Sequence, residues 1–68
     1  MKLSNIELEI LKRLALPNQE ISEELNYSIG SIKSHIHQLI GKLNGANRVH
    51  TLFQGLRKGI IKLEDIVL

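Results

Sequence analysis

Cysteine and tryptophan are absent from the 68 residues, the only aromatics are Tyr27 and Phe53, and the only proline is Pro17. Without thiols there is no disulfide framework, no Cys-based zinc finger and no thiol nucleophile, which fits a reducing compartment. Two aromatics, both wanted for packing, cannot make a stacking platform for RNA or single strands. No apolar run approaches the roughly 18 residues of a membrane span, and no basic stretch precedes an apolar one at the amino terminus. A soluble, cytoplasmic protein is expected. Catalytic signatures are also missing: there is no G-x-S-x-G, no P-loop and no H-E-x-x-H, and the carboxylates are not arranged as paired acid and base. His35 and His37 are two apart, so on a helix they diverge and cannot share a metal. Neither an enzyme nor a cofactor is expected.

What the chain does have is aliphatic residues and segregated charge. Apolar residues make up 43% and charged residues 24%, enough Leu and Ile for a core and too few charges for wholesale disorder. A chain this short hides only about 60% of its unfolded surface, so one small domain over residues 1–68 is the limit. The formal net charge of +2 conceals three zones. Residues 1–25 hold Lys2, Lys12 and Arg13 against Glu7, Glu9, Glu20, Glu23 and Glu24. From Asn26 to Leu63 there are Lys33, Lys42, Arg48, Arg57, Lys58 and Lys62 and no acid; Glu64 and Asp65 follow. A long acid-free stretch is unlike an ordinary solvated face, which mixes both signs, and points to a polyanionic partner.

Caps and periodicity bound four helices. Ser4 and Glu7 have the S-x-x-E form of a capping box, opening a helix over about 4–15 with Leu3, Ile6, Ile10, Leu11 and Leu14 inward and Pro17 forcing the exit. Asn18 is the cap expected for a short helix over 19–25, with Ile21 and Leu25 on its buried side. Asn26 and Tyr27 break the chain, and Ser28 caps a helix over 28–43 with a stripe of Ile29, Ile32, Ile36, Leu39, Ile40 and Leu43. Asn44 and Gly45 tolerate positive φ for a stop. Asn47 then caps a fourth helix over 47–58, whose apolar row of Val49, Leu52, Phe53 and Leu56 is expected to be core. The apolar tail, 60–68, fits another helical turn or an extended segment equally well. The fold class is all-α.

A short helix, a brief break and a longer helix with a strict apolar stripe is the layout of a helix-turn-helix, whose second helix enters the major groove. Opposite that stripe lie Gly30, Ser31, Ser34, His37, Gln38 and Gly41, with Lys33, His35 and Lys42 on its flanks. These groups are short or hydrogen-bonding and none is acidic, which suits close approach to a negatively charged surface. The two glycines weaken the helix by about 1 kcal/mol each relative to Ala, a cost that a close approach would rationalise.

The run from Glu20 to Ile36, continued by Leu39, Lys42-Leu43 and Asn47-Arg48, resembles the LuxR/GerE-type transcription regulators, whose pattern is roughly EIA-x-x-L-x-[IV]-S-x-x-TVK-x-H-[LIV], then KL and NR. Leu3-Ser4 and Glu7 to Leu11 resemble that family's opening LT-x-x-E-x-EVL. The resemblance covers about residues 3–61. It implies a four-helix helix-turn-helix domain, LuxR/GerE-like, that binds double-stranded DNA and dimerises through its fourth helix on inverted half-sites. By the same resemblance Lys33, Ser34 and His37 reach bases and phosphates, and Asn18 and Gln19 approach the backbone from the second helix. Ser28 and Ser31 lie where hydroxyls, free amides and the helix dipole favour phosphate. Gln38 adds to the exposed face, and Lys42 is a flank contact.

Three departures from the family pattern stand out. The turn Ala15-Leu16-Pro17-Asn18 is about two residues short, Ile6 and Leu8 stand where Arg is common, and His37 and Gly41 replace bulkier or more basic choices. The upstream sensor of most members is missing, so a stand-alone output domain is expected. Arg48 has two readings: it braces the fourth helix, with Glu20 as a salt-bridge partner, or it touches DNA. His35, at the edge of the stripe, is expected to pack. With the apolar row of the fourth helix assigned to core, the dimer surface falls to His50, Thr51, Gln54 and Arg57, helped by Ile61. The alternative function is a protein-interaction module or antagonist that forms mixed dimers with larger regulators of the family; transcription machinery is a further expected partner.

Overall fold

Local capping chemistry decides where the helices begin. In the computed structural model, which describes residues 2–68, the elements are α1 (Asn5–Lys12), α2 (Asn18–Leu25), α3 (Ile29–Lys42) and α4 (Arg48–Arg57), followed by a single 3-10 turn, Leu63–Asp65. No strand occurs among the described residues. The Ser4 capping box is complete: Glu7 donates its amide to Ser4 Oγ at 3.3 Å and Ser4 donates its amide to Glu7 Oε1 at 2.9 Å. Ser28 and Asn47 likewise accept from the third residue of their helices, Ser31 and His50.

Two boundaries differ from expectation. α1 stops at Lys12 rather than near Ala15, because the amides of Arg13, Leu14 and Leu16 bond three residues back, to Ile10, Leu11 and Arg13. That tightened coil turns the chain before Pro17, where Leu16 could not stay helical. Asn18 is not the cap of α2 but its first residue. Pro17, extended at ψ 151°, precedes it without any side-chain cap bond, since proline has no side-chain acceptor; the Asn18 oxygen accepts from Arg48 instead. At the end of α3, Asn44 takes the positive φ, 54°. Gly45 serves packing instead: a Cβ there would collide with the Thr51 side chain.

Ile10, Leu11, Ile21, Ile32, Leu39 and Leu43 form the fully buried centre, joined by Leu3, Leu14, Leu16, Ile36 and Ile61. α3 therefore lies with its aliphatic stripe on both α1 and α2. Arg13 links the acidic helices, donating from Nε to Glu24 Oε1 at 2.9 Å and from Nη1 to Glu9 Oε1 at 2.7 Å. The tail combines the two forms the sequence allowed, a 3-10 helical turn at Leu63–Asp65 set between extended residues Lys62 and Ile66. Ile61 is buried, the 3-10 turn follows, and Val67 donates its amide to the Lys12 carbonyl at 2.9 Å. This folds the last residues back onto the end of α1. The radius of gyration, 10.7 Å, matches the roughly 11 Å of a folded chain this long, as it would not if the tail projected.

Candidate nucleic-acid interface

At about 100° per residue, Gly30, Ser34, His37 and Gly41 form the outer line of α3, directly opposite Ile32, Ile36, Leu39 and Leu43. The exposure pattern follows: the first four are exposed and the second four buried. Gln38 and Lys33 flank that line and are exposed; Ser31 is half-buried. Ser28 Oγ accepts from the Ser31 amide at 3.1 Å, which keeps its hydroxyl beside the first-turn amides that no helix can satisfy internally. A Cβ at Gly30 or Gly41 would meet nothing within 4 Å. No packing within the protein therefore calls for glycine at either position.

The ion pairs divide the charges unevenly. Glu9 pairs with Lys12 and Arg13, Glu24 with Arg13, and Glu7 with Lys42. Lys33 makes no ion pair among the described residues. Lys42, expected as a flank contact, holds its ammonium 2.6 Å from Glu7 Oε2, linking α3 to α1, while its side chain stays 43% exposed. Glu7 is only 4% exposed, and a buried carboxylate binds a cation that reaches it in preference to leaving its charge unpaired. That hydrogen bond from Lys42, reinforced by the Ser4 amide, holds the Glu7 carboxyl below its ordinary value of 4.5.

Asn18, at the start of α2, is half-buried, while Gln19 is exposed. Arg48 neither pairs with Glu20 nor lies free for DNA. Its Nε donates to the Leu14 carbonyl at 2.8 Å, Nη2 donates to the Leu16 carbonyl and Nη1 to Asn18 Oδ1. Desolvation pushes its guanidinium below the usual value. His35 is half-buried, its ring edge-on to Tyr27 with centroids 6.2 Å apart.

α4 is rotated from expectation. Val49 and Phe53, expected in the core, are 61% and 58% exposed, while Thr51 and Ile61, expected on a dimer surface, are buried at 0% and 3%. Thr51 donates its hydroxyl to the Asn47 carbonyl at 2.7 Å, and Gln54 donates from Nε2 to the Leu43 carbonyl at 3.2 Å, so Gln54 too is turned inward. The cause is close approach: Gly55 is buried, and a Cβ there would lie 3.0 Å from Leu11 Cδ2. Small residues at 51 and 55, one turn apart, let α4 press on Leu11 and carry Val49 and Phe53 to the outside. The spacing Thr-x-x-x-Gly was the signal in the sequence that could have shown this. His50 and Arg57 remain exposed, on the edge of the Val49–Phe53 face.

A family model for the bacterial regulatory proteins of the luxR family, GerE, matches residues 1–53. The chain belongs to the luxR family. Its relatives include the uncharacterized transcriptional regulatory protein YxjL of Bacillus subtilis (strain 168), 34% identical over 58 residues that make up 82% of this chain. The chain spans 27% of that relative's length. No solved structure matches it. As a luxR-family domain the chain is a DNA-binding domain of the kind that transcription regulators carry, and this is not a family of enzymes. None of its helices, among the described residues, is long and apolar enough to cross a membrane.

Proposed function

We propose that this luxR-family domain reads specific sequences in double-stranded DNA to regulate transcription, and that it does so as a dimer joined through α4, in the cytoplasm if its host is a bacterium. The observation that carries the reading is the outer face of α3: a line of small and hydrogen-bonding groups with no carboxylate, backed by a buried aliphatic stripe and flanked by Lys33, which makes no ion pair among the described residues. In the major groove Lys33, Ser34, His37 and Gln38 would meet base edges and phosphate, while Ser28, Ser31, Asn18 and Gln19 would lie along the backbone. Val49 and Phe53, flanked by His50 and Arg57, supply the dimer face in place of Thr51, Gln54 and Ile61. The same apolar pair would serve the second reading, an antagonist that forms mixed dimers with larger regulators. Binding to duplex alone distinguishes the two.

Selection from a random duplex library should return inverted half-sites. On the selected site Lys33→Ala should weaken binding and flatten the slope of log K against log salt by about one unit. An unchanged slope removes Lys33 from the phosphate contacts, and failure to select any duplex leaves the mixed-dimer reading.

A further inference from the structure

We infer that Arg48, the first residue of the dimer helix α4, is a positioning residue for DNA binding, orienting the Asn18 side chain so that its amide donor faces a phosphate. This rests on the DNA-binding reading above.

The chemistry of the guanidinium leaves little freedom. Arginine has donors and no acceptor, so whatever meets it must present oxygen. Here all three acceptors are neutral: the carbonyls of Leu14 and Leu16 and Oδ1 of Asn18. With its oxygen turned to Arg48, the Asn18 carboxamide must turn its NH2 group the other way. A donor is what a phosphate oxygen needs, and Asn18 is the first residue of α2, where the positive end of the helix dipole favours an anion. The same fork closes the α1–α2 turn, which is short and has no side-chain cap of its own. A planar fork anchored in α4 thus sets the start of α2, as a lysine's single ammonium could not.

Three variants test this on the selected duplex. Asn18→Asp keeps the oxygen that Arg48 needs but replaces the outward NH2 with a second, charged oxygen; the domain should fold at least as stably, by far-ultraviolet dichroism and melting, and bind more than about tenfold more weakly. Arg48→Lys keeps the charge and loses the fork, so affinity should fall about five- to tenfold with the salt slope unchanged. In the Arg48→Lys background Asn18→Ala should cost nothing further, because the group it removes is no longer aimed.

The inference fails if Asn18→Asp binds like wild type, or if the Arg48 and Asn18 effects simply add. Near-complete rescue by Arg48→Lys, with Arg48→Met lowering the slope by about one, would instead make Arg48 a direct phosphate contact. If the wild-type domain binds no duplex, the underlying reading fails and takes this with it; if it binds and the variants do not differ from it, only this inference fails.

Discussion

α3 and α4 each carry a periodic row of apolar side chains, yet α3 buries or half-buries all of its row except Ile29, expected inward but 41% exposed in the first turn, while α4 displays half of its own. In α3 the residues nearest the neighbouring helices are Ile32, Ile36 and Leu39, so the most apolar face is also the most buried. In α4 the buried residues are Thr51, against Gly45, and Gly55, against Leu11. Helices pack where their backbones can approach, and small side chains permit the closest approach, so hydrophobicity alone picks the inward face only when the large residues make the contact. Where it picks wrongly, what is left outside is informative. In α4 it leaves Val49 and Phe53 exposed, the pair on which the proposed dimer rests.

The contrast can be tested in order of expected size. Leu39→Ala, at the centre of the α3 stripe, should cost about 3 kcal/mol in urea unfolding, the range for a fully buried leucine whose cavity cannot collapse; a loss below about 1 kcal/mol would mean that α3 is not seated as described. At the far end of α3, Glu7→Gln removes the charge that holds Lys42 and should cost about 1–2 kcal/mol near neutral pH.

The pH dependence of that pair has a definite sign. The folded Glu7 pKa lies below its ordinary 4.5, so its stabilisation is complete above that value and is lost as pH falls through the folded pKa. Glu9 is lowered in the same sense, chiefly by its hydrogen bond from Arg13. Wild-type melting temperature should thus drop on acidification below about pH 4.5, and less steeply in Glu7→Gln; equal slopes would show that Glu7 is not held in the ion pair.

In α4 the expectations reverse the usual ones. Gly55→Ala ought to gain about 1 kcal/mol from helix propensity, but the new methyl meets Leu11, itself fully buried, so a net loss of about 1 kcal/mol is expected from overpacking. A more stable variant would show that α4 is not pressed against α1. The smallest effect on the fold belongs to Phe53→Ser, within about 0.5 kcal/mol for an exposed position. Its effect should appear in sedimentation, as a shift toward monomer, with weaker binding to inverted half-sites. A Phe53→Ser protein of unchanged mass and affinity would move the dimer contact off this face.

What could be read from the sequence was what depends on neighbours three or four residues away. Ser4 with Glu7, Ser28 with Ser31 and Asn47 with His50 are local devices, and the α3 stripe is a local period; these gave the helix starts, the all-α class and the acid-free face. Arg48 reaches back to Leu14, Leu16 and Asn18, and Lys42 reaches Glu7. No spacing rule links residues so distant in the chain, so Lys42 passed for a flank contact, and the bracing role that the sequence allowed Arg48 was given the wrong partner, Glu20. Asn18 was misread for the same reason: an asparagine before an apolar helix is a good cap unless a distant guanidinium takes its oxygen first. The rotation of α4 lay between these cases, since Thr51 and Gly55 were in view but a row of larger apolar residues outweighed them.

The match to the luxR family stops at residue 53, inside α4, while the cooperative structure runs on. Gly55 meets Leu11, Ile61 fills a core position, and the Val67 amide closes on Lys12. The packed structure thus extends beyond the segment that the family model matches. A polypeptide cut after residue 53 would lose the second half of α4 and the tail that closes on α1 together, and its amides would exchange with solvent as those of a loosened remnant rather than of a shorter version of the same domain.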